Sequence, residues 1–256
     1  LNRNIKIRGE DADGWGGQVM VSDYFETDGT WRKGQLIFDN VQVYNCSQED
    51  TYKAAIRWEG AQGGHSKVSN SVVHGGLGWS ISVLRSSNVH ITDSYFVGSR
   101  PIGVHMDYVR NVTLTNSFIA DVMPRKFGNG GGMVDKEACV AICTYMAKIG
   151  LTSCHDITVT NNIAAGCKFA GYLAPGYDCG DTSSTRFKNN ISHSNKGVGA
   201  AILPDDRLGK NHDNCYEMSH FKAYKTTLPC LAAFYKTKEM RAHDITCIDS
   251  EKGVSL

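Results

Sequence analysis

The chain has 256 residues, 27 basic and 26 acidic side chains, a net charge of +1 and 5 prolines. That balance offers no bulk field for a nucleic acid or other polyanion, and no run approaches the ~18 consecutive apolar residues of a helix that inserts into a membrane. The length fits two average domains or one repeat array, and the spacing of motifs selects a single array over 1–256.

In chain order, the opening Leu1-Asn2-Arg3-Asn4-Ile5-Lys6-Ile7 reads as a strand. With no leader ahead of it, the chain is expected to be an internal piece of a longer polypeptide. Val68-Ser69-Asn70-Ser71-Val72, Asn88-Val89-His90-Ile91-Thr92-Asp93-Ser94 and Asn111-Val112-Thr113-Leu114-Thr115-Asn116-Ser117 then share one alternating pattern, the clearest copies 111 − 88 = 23 residues apart. That interval is about one turn of a parallel β-helix. A glycine-rich excursion near 122–137 follows, then further copies at 157–162 and 187–191 and a degenerate one at 218–222. Second strands are predicted at 79–84, 102–107, 138–143, 169–174, 198–203 and 231–235. The predicted fold is all-β, a right-handed parallel β-helix of about seven or eight coils, each coil a strand, a turn, a strand and a turn.

One such unit cannot enclose a core, but stacking coils at ~4.8 Å buries each inward side chain against its equivalent in the next coil. Alternation assigns Ile81, Val83, Ile102, Val104, Met106, Ala138, Val140, Ile142, Val198, Ala200 and Ile202 to the interior of the second strand. Its outward set is Arg57, Glu59, Ser80, Ser82, His105, Asp107, Cys139, Cys143 and Tyr172. The Asn residues at the corners have a structural explanation: their amides bond along the stack and they tolerate left-handed backbone angles.

The outward set holds what chemistry there is. His105 and Asp107 at i, i+2 share a face, so an imidazole oriented by a carboxylate could serve as general base. Arg57 beside Glu59 suits an anionic sugar, and Arg57, Ser82 and Tyr172 are the candidates for a ligand-binding face. Glycoside hydrolysis needs paired carboxylates; the candidate pairs are Asp107 with Glu59, Asp178 with Asp181, and Asp205 with Asp206. The last two pairs sit in Gly/Asp loops, where acids commonly cap turns, and the first would equally solvate an exposed face. Trp15, Trp31, Trp58 and Trp79 crowd the first third, suited either to stacking on sugars or to core. The glycines at 128–132 form no phosphate loop, because no Lys-Ser/Thr follows, and no cofactor is implied. Nine cysteines contain no Cys-x2-Cys pair; Cys139 and Cys143 on one strand would lie ~13 Å apart, too far for a shared disulfide or ion, and no metal site is expected. Glycosylation triplets begin at Asn45, Asn111 and Asn190. With the cysteines, they tilt the compartment toward extracellular.

The opening strand resembles the β-helix segment of the fibrocystin and fibrocystin-like extracellular proteins, where it follows a G8 domain. So does His155-Asp156-Ile157-Thr158-Val159-Thr160-Asn161-Asn162-Ile163, with the later Gly171-Tyr172 and Asn190-Ile191-Ser192-His193-Ser194. The resemblance implies a large extracellular or single-pass surface protein, in some relatives associated with cilia. It also implies a disulfide between Cys179 and Cys215. Hyaluronidases that share the arrangement carry an acidic pair where Ala174-Pro175 stands here, which counts against catalysis. The expectation is a non-catalytic structural or adhesive module, set among other domains of the same polypeptide and presenting a lateral face to a protein or glycan. The alternative is a carbohydrate-active enzyme, a hyaluronidase-like polysaccharide hydrolase or lyase using His105, Asp107 and Glu59.

Overall fold

The computed structural model describes residues 5–10, 15–49, 51–124, 137–143, 154–174, 177–178, 186–202, 215–233 and 239–255. Their strands coil into three long sheets of nine strands each. Sheet one stacks Ile5–Arg8, Val41–Tyr44, Val72–His74, Tyr95–Val97, Phe118–Ala120, Ile163–Ala165, Ile191–His193, Lys222–Thr226 and Thr246–Ser250. Sheet two runs from Val19–Val21 through Ile56–Glu59, Ile81–Leu84, Ile102–Asp107, Ala138–Ile142, Ala170–Ala174, Val198–Ile202 and Leu231–Ala233 to Val254–Ser255. Sheet three is built on Ile37–Asp39, Ser66–Ser69, Ser87–Thr92, Arg110–Thr115, His155–Thr160, Phe187–Lys188, Cys215–Ser219 and Glu239–His243. Each coil visits sheets three, one and two in turn, and neighbouring coils pair in parallel. Tyr177–Asp178 departs from this, lying antiparallel on Cys215–Ser219. The fold is the all-β parallel β-helix that the spacing predicts; most of the excursion, 125–136, falls outside the described residues.

The coil has three strands where two were predicted. The extra corner is hidden inside what reads as one strand: Asn70, Asp93, Asn116, Asn161 and Asn189 take φ of 49, 50, 50, 59 and 57°. This left-handed conformation is one that Asn and Asp adopt more readily than other residues with a Cβ, and here it turns the chain from sheet three into sheet one. The next residue points into the coil and bonds along the stack. Ser71 N–H donates to Ser94 Oγ at 3.2 Å, Ser94 N–H to Ser117 Oγ at 3.3 Å, Ser117 N–H to Asn162 Oδ1 at 3.0 Å and Asn162 N–H to Asn190 Oδ1 at 3.0 Å. These five side chains are buried, and the ladder supplies partners for amides that would otherwise be stranded in the interior. The repeated Asn/Ser mark is therefore an element of construction.

The interior holds Val83, Val104, Met106, Val140, Ile142, Ala200 and Ile202 of sheet two, as alternation predicts. Ile102, Ala138 and Val198, also expected inside, belong to a second cluster with Trp79, Ala141, Ala170, Leu173, Ala201 and Ala232. Two successive residues point inward at the start of these strands, so strict alternation fails there. The extra inward place is taken by Gly103, Cys139, Gly171 and Gly199 on successive coils. A Cβ at Gly103 would stand 2.5 Å from Ile119 Cγ2 and 2.6 Å from the Cys139 carbonyl, so the interior there has no room for a larger residue.

Candidate functional site

His105, Asp107, Glu59, Arg57, Ser82 and Tyr172 all lie on sheet two, whereas Asp178 lies in the short strand that pairs antiparallel with Cys215–Ser219 of sheet three. Arg57, Ser82 and His105 stand opposite one another on three consecutive coils, and Glu59, Leu84 and Asp107 form the column beside them. The expected juxtaposition is thus present. Ser82 Oγ lies 3.5 Å from His105 Nδ1, and His105 Nε2 faces Asp107 Oδ2 at 3.6 Å. Trp79 packs on the imidazole with ring centroids 4.6 Å apart, and Asp107 Oδ1 accepts the Tyr108 N–H at 3.0 Å.

The outward face of this part of sheet two is not open to solvent. Ser82, His105 and Asp107 are each 1% exposed, so the predicted exposed polar face is corrected to a buried one. The physical reason continues along the same column, where Ala141, Leu173, Ala201 and Ala232 succeed His105. With Trp79 and Ile102 these side chains make a second apolar core on the outside of the coil. From Ser82 to Ala232 sheet two is consequently buried on both faces, in the manner of parallel sheets elsewhere.

Tyr172 is also corrected. It stands in register with Val140 and Ala200 and points into the interior, fully buried, because the preceding Gly171 takes the extra inward place. Its hydroxyl donates to the Ile191 carbonyl at 3.3 Å, and Phe187 and Phe221 meet its ring edge-on. Burial pushes its pKa well above the ordinary 10.0.

Arg57 and Glu59 are half-buried and pair with each other, while Arg85 reaches the other Glu59 oxygen at 2.6 Å. Burial first, and the nearby Arg85 second, hold the Arg57 pKa below its ordinary value. The carboxylate bridges both guanidinium groups, so neither half of the expected anion-binding pair stands alone. Glu59 and Asp107 are two coils apart, ~10 Å by the coil spacing, at the outer limit for paired glycosidase carboxylates. Asp181, Asp205 and Asp206 of the other two pairs lie outside the described residues.

Cys139 and Cys143 are not joined to each other, as their spacing requires, and each has another partner: Cys139 bonds Cys167 and Cys143 bonds Cys154, while Cys230 bonds Cys247. Asp107 lies within 4.8 Å of the Cys143 and Cys154 sulfurs, but sulfurs joined in a disulfide are not thiolate ligands. Cys46 is a buried thiol, its pKa raised by burial. Cys179 lies outside the described residues. Of the glycosylation triplets, Asn111 is exposed and Asn45 half-buried, whereas Asn190 is buried, accepting from Asn162 and donating Nδ2–H to the Val159 carbonyl. Asn190 is withdrawn as an acceptor in the folded chain for that reason.

A feature not foreseen lies in the first coil. Tyr24–Phe25 and Trp31–Arg32 form an antiparallel hairpin on which Phe25 and Trp31 stack at 6.2 Å, both exposed. The signal was available: Asp28-Gly29 between two aromatic-bearing runs is a hairpin turn, and Gly29 has φ of 86°. Asp23 holds the hairpin in place, accepting from the N–H groups of Gly34, Gln62 and Gly63 and from Trp31 Nε1–H. Trp15 is exposed like Trp31, while Trp58 fills the interior and Trp79 the outer cluster.

Comparison with known proteins agrees with the architecture. A family model described as right handed beta helix region matches residues 30–217, well over half of the chain. Fibrocystin-L of Homo sapiens is 26% identical over 268 residues, covering 99% of this chain and 6% of that protein. The resemblance to fibrocystin-like proteins read from the sequence thus extends over the whole chain, which spans a small fraction of that relative's length. A solved structure from Geobacillus virus E2, ORF18, aligns with 90% of this chain and 56% of its own at 9% identity and a TM-score of 0.32, too slight a likeness to bear on function.

Proposed function

We propose that this chain, which belongs to the right-handed beta helix family, is a non-catalytic structural module of a large extracellular or cell-surface protein. It is a stiff rod, set between other domains or borne on a cilium, that presents a lateral face to a protein or glycan. The observation that carries the reading is the burial of Ser82, His105 and Asp107 at 1% exposure each: a general base must come within hydrogen-bond reach of its substrate, and these groups have no open approach. Three disulfides among the described residues support an oxidising compartment, and the likeness to a protein of which the chain spans 6% supports a module within a longer polypeptide. The lateral face is best sought on sheet one, where Val72, Tyr95, Phe118, Ile163 and Ile191 form an outward apolar column across five coils. A disulfide between Cys179 and Cys215 belongs to the same proposal, supported by the antiparallel pairs Tyr177 with Glu217 and Asp178 with Tyr216 that run toward Cys215.

The arrangement of Ser82, His105 and Asp107 keeps the enzyme alternative specific enough to test. The chain is incubated with hyaluronan and other polysaccharides, and new reducing or unsaturated ends are measured beside retention on a glycan array. Retention or no effect, without cleavage and unchanged in His105→Ala, is the expected result. Ends that accumulate with wild type and vanish in Asp107→Asn would replace this proposal with catalysis.

A further inference from the structure

The three glycosylation triplets sit in different surroundings. Asn190 is locked inside the ladder. Asn45 is half-buried, and Ser47, the hydroxyl its triplet needs, is fully buried, donating to the Cys46 carbonyl and accepting the Gly78 N–H at 2.7 Å. Asn111 differs in both respects. It lies on sheet three, exposed, with φ of 53°, and Thr113 of its triplet lies half-buried on the outer side of the same strand, its Oγ1 3.1 Å from His90 Nδ1.

We propose that Asn111 is the N-glycan acceptor of this chain, an inference that rests on the extracellular reading above. In the modification, Asn111 Nδ2 forms a bond to the anomeric carbon of an oligosaccharide carried on a polyprenyl diphosphate. The sugar–phosphate bond breaks, the diphosphate leaves with its electron pair, and the amide gives up one proton. Nδ2 keeps its second hydrogen. In the folded chain Asn111 Nδ2 donates to Asn88 Oδ1 at 2.8 Å, a bond that a singly substituted amide still makes.

The neighbouring coils show why the site is single on this column. Asn88 occupies the equivalent place with φ of 58°, but His90 stands where its triplet would need Ser or Thr. On the following coil Asp156 has φ of 54° and is followed at the right distance by Thr158, but is itself not Asn. Asn111 alone joins both requirements. A glycan there projects from sheet three and shields its polar face, which leaves the apolar column of sheet one as the side free to meet a partner.

The test is to secrete the full chain from eukaryotic cells behind a cleavable leader, then measure intact mass before and after enzymatic removal of N-glycans, with peptide mapping of the disulfides. One glycan at Asn111 is expected, absent in Asn111→Gln and in Thr113→Val and retained in Asn190→Gln. The threonine variant leaves the asparagine in place, so loss of the glycan in both rules out a folding defect peculiar to one. A secreted chain with its disulfides formed but Asn111 bare overturns the site. A chain whose cysteines stay reduced in its native source overturns the extracellular reading on which the site depends.

Discussion

Tyr172 shows how one residue's position governs the response to pH. Its phenol is neutral when protonated, and burial raises the folded-state pKa above the ordinary 10.0 of an unfolded chain. Below that ordinary value both states hold the proton and the contribution to stability is constant. Above it the unfolded chain releases a proton that the folded chain retains, so stability falls as pH rises. Tyr172→Phe removes this dependence and one hydrogen bond to Ile191. Urea titrations from about pH 8 to about pH 11 are expected to show a cost of about 1 kcal/mol at the lower end and a shallower alkaline decline in the variant. An unchanged decline would mean that other tyrosines dominate. At this scale the sequence was legible where the rule is local: Asn at a left-handed corner and Ser or Asn just after it follow from side-chain chemistry alone. It misled at Tyr172, because the paired inward positions beginning at Gly171 shift the alternation by one, and nothing in a single strand announces that shift.

Among elements, the hairpin is held by a point attachment. Burial works against the Asp23 carboxylate, but the backbone N–H groups of Gly34, Gln62 and Gly63 and the Trp31 indole together keep its pKa below 3.8. The contribution is therefore present above that value and is lost as pH falls through the lower, folded-state pKa. Asp23→Ala withdraws the acceptor from all four donors, two of them in the turn at Gln62 and Gly63, while leaving the strand pairing of the stacked coils intact. Amide exchange should accelerate about tenfold or more across 24–34, corresponding to about 1.4 kcal/mol of local opening, with little change in sheets one to three. Uniform acceleration would instead show that the hairpin and the coils open together. Sheet two shows the limit of pattern reading at this scale. Alternation separated its two faces correctly at Ser82 and His105, yet it could not say that both faces are buried, since that depends on what packs against the outer one. The run of Ala141, Leu173, Ala201 and Ala232 on the outward side is the clue that periodicity alone did not weigh.

Across the whole molecule, eight complete coils and a partial first one among the described residues, stacked at ~4.8 Å, span about 40 Å along the axis. Each coil touches only its neighbours, so stability is approximately a sum of coil and interface contributions, and the end coils, with one neighbour each, are the weakest. Ile5 and Val254, in register with the buried Val41 and Leu231 but at the two ends of the stack, are exposed accordingly. Amide exchange is expected to be slowest in the central coils around 81–120 and 157–202 and to quicken toward both ends. Greatest protection at an end coil would contradict the nearest-neighbour account. The coil architecture was readable from the 23-residue interval. The number of strands per coil was not, because a one-residue corner leaves the polar–apolar alternation almost undisturbed.

The ladder from Ser71 to Asn190 has a property that bears on how such a chain can change. Its successive bonds join residues 23, 23, 45 and 28 apart in sequence, yet all connect adjacent coils. Contour length between rungs is thus free, while the order and direction of the rungs are fixed: every backbone N–H of the ladder donates toward the carboxy-terminal end. Foreign segments grafted where 118–161 already accommodates its longer path would leave donor and acceptor facing each other. Removing the single residue Asn116 would put Ser117 on the wrong side of the turn. The protein is, in this sense, tolerant of additions by the dozen and intolerant of a deletion of one.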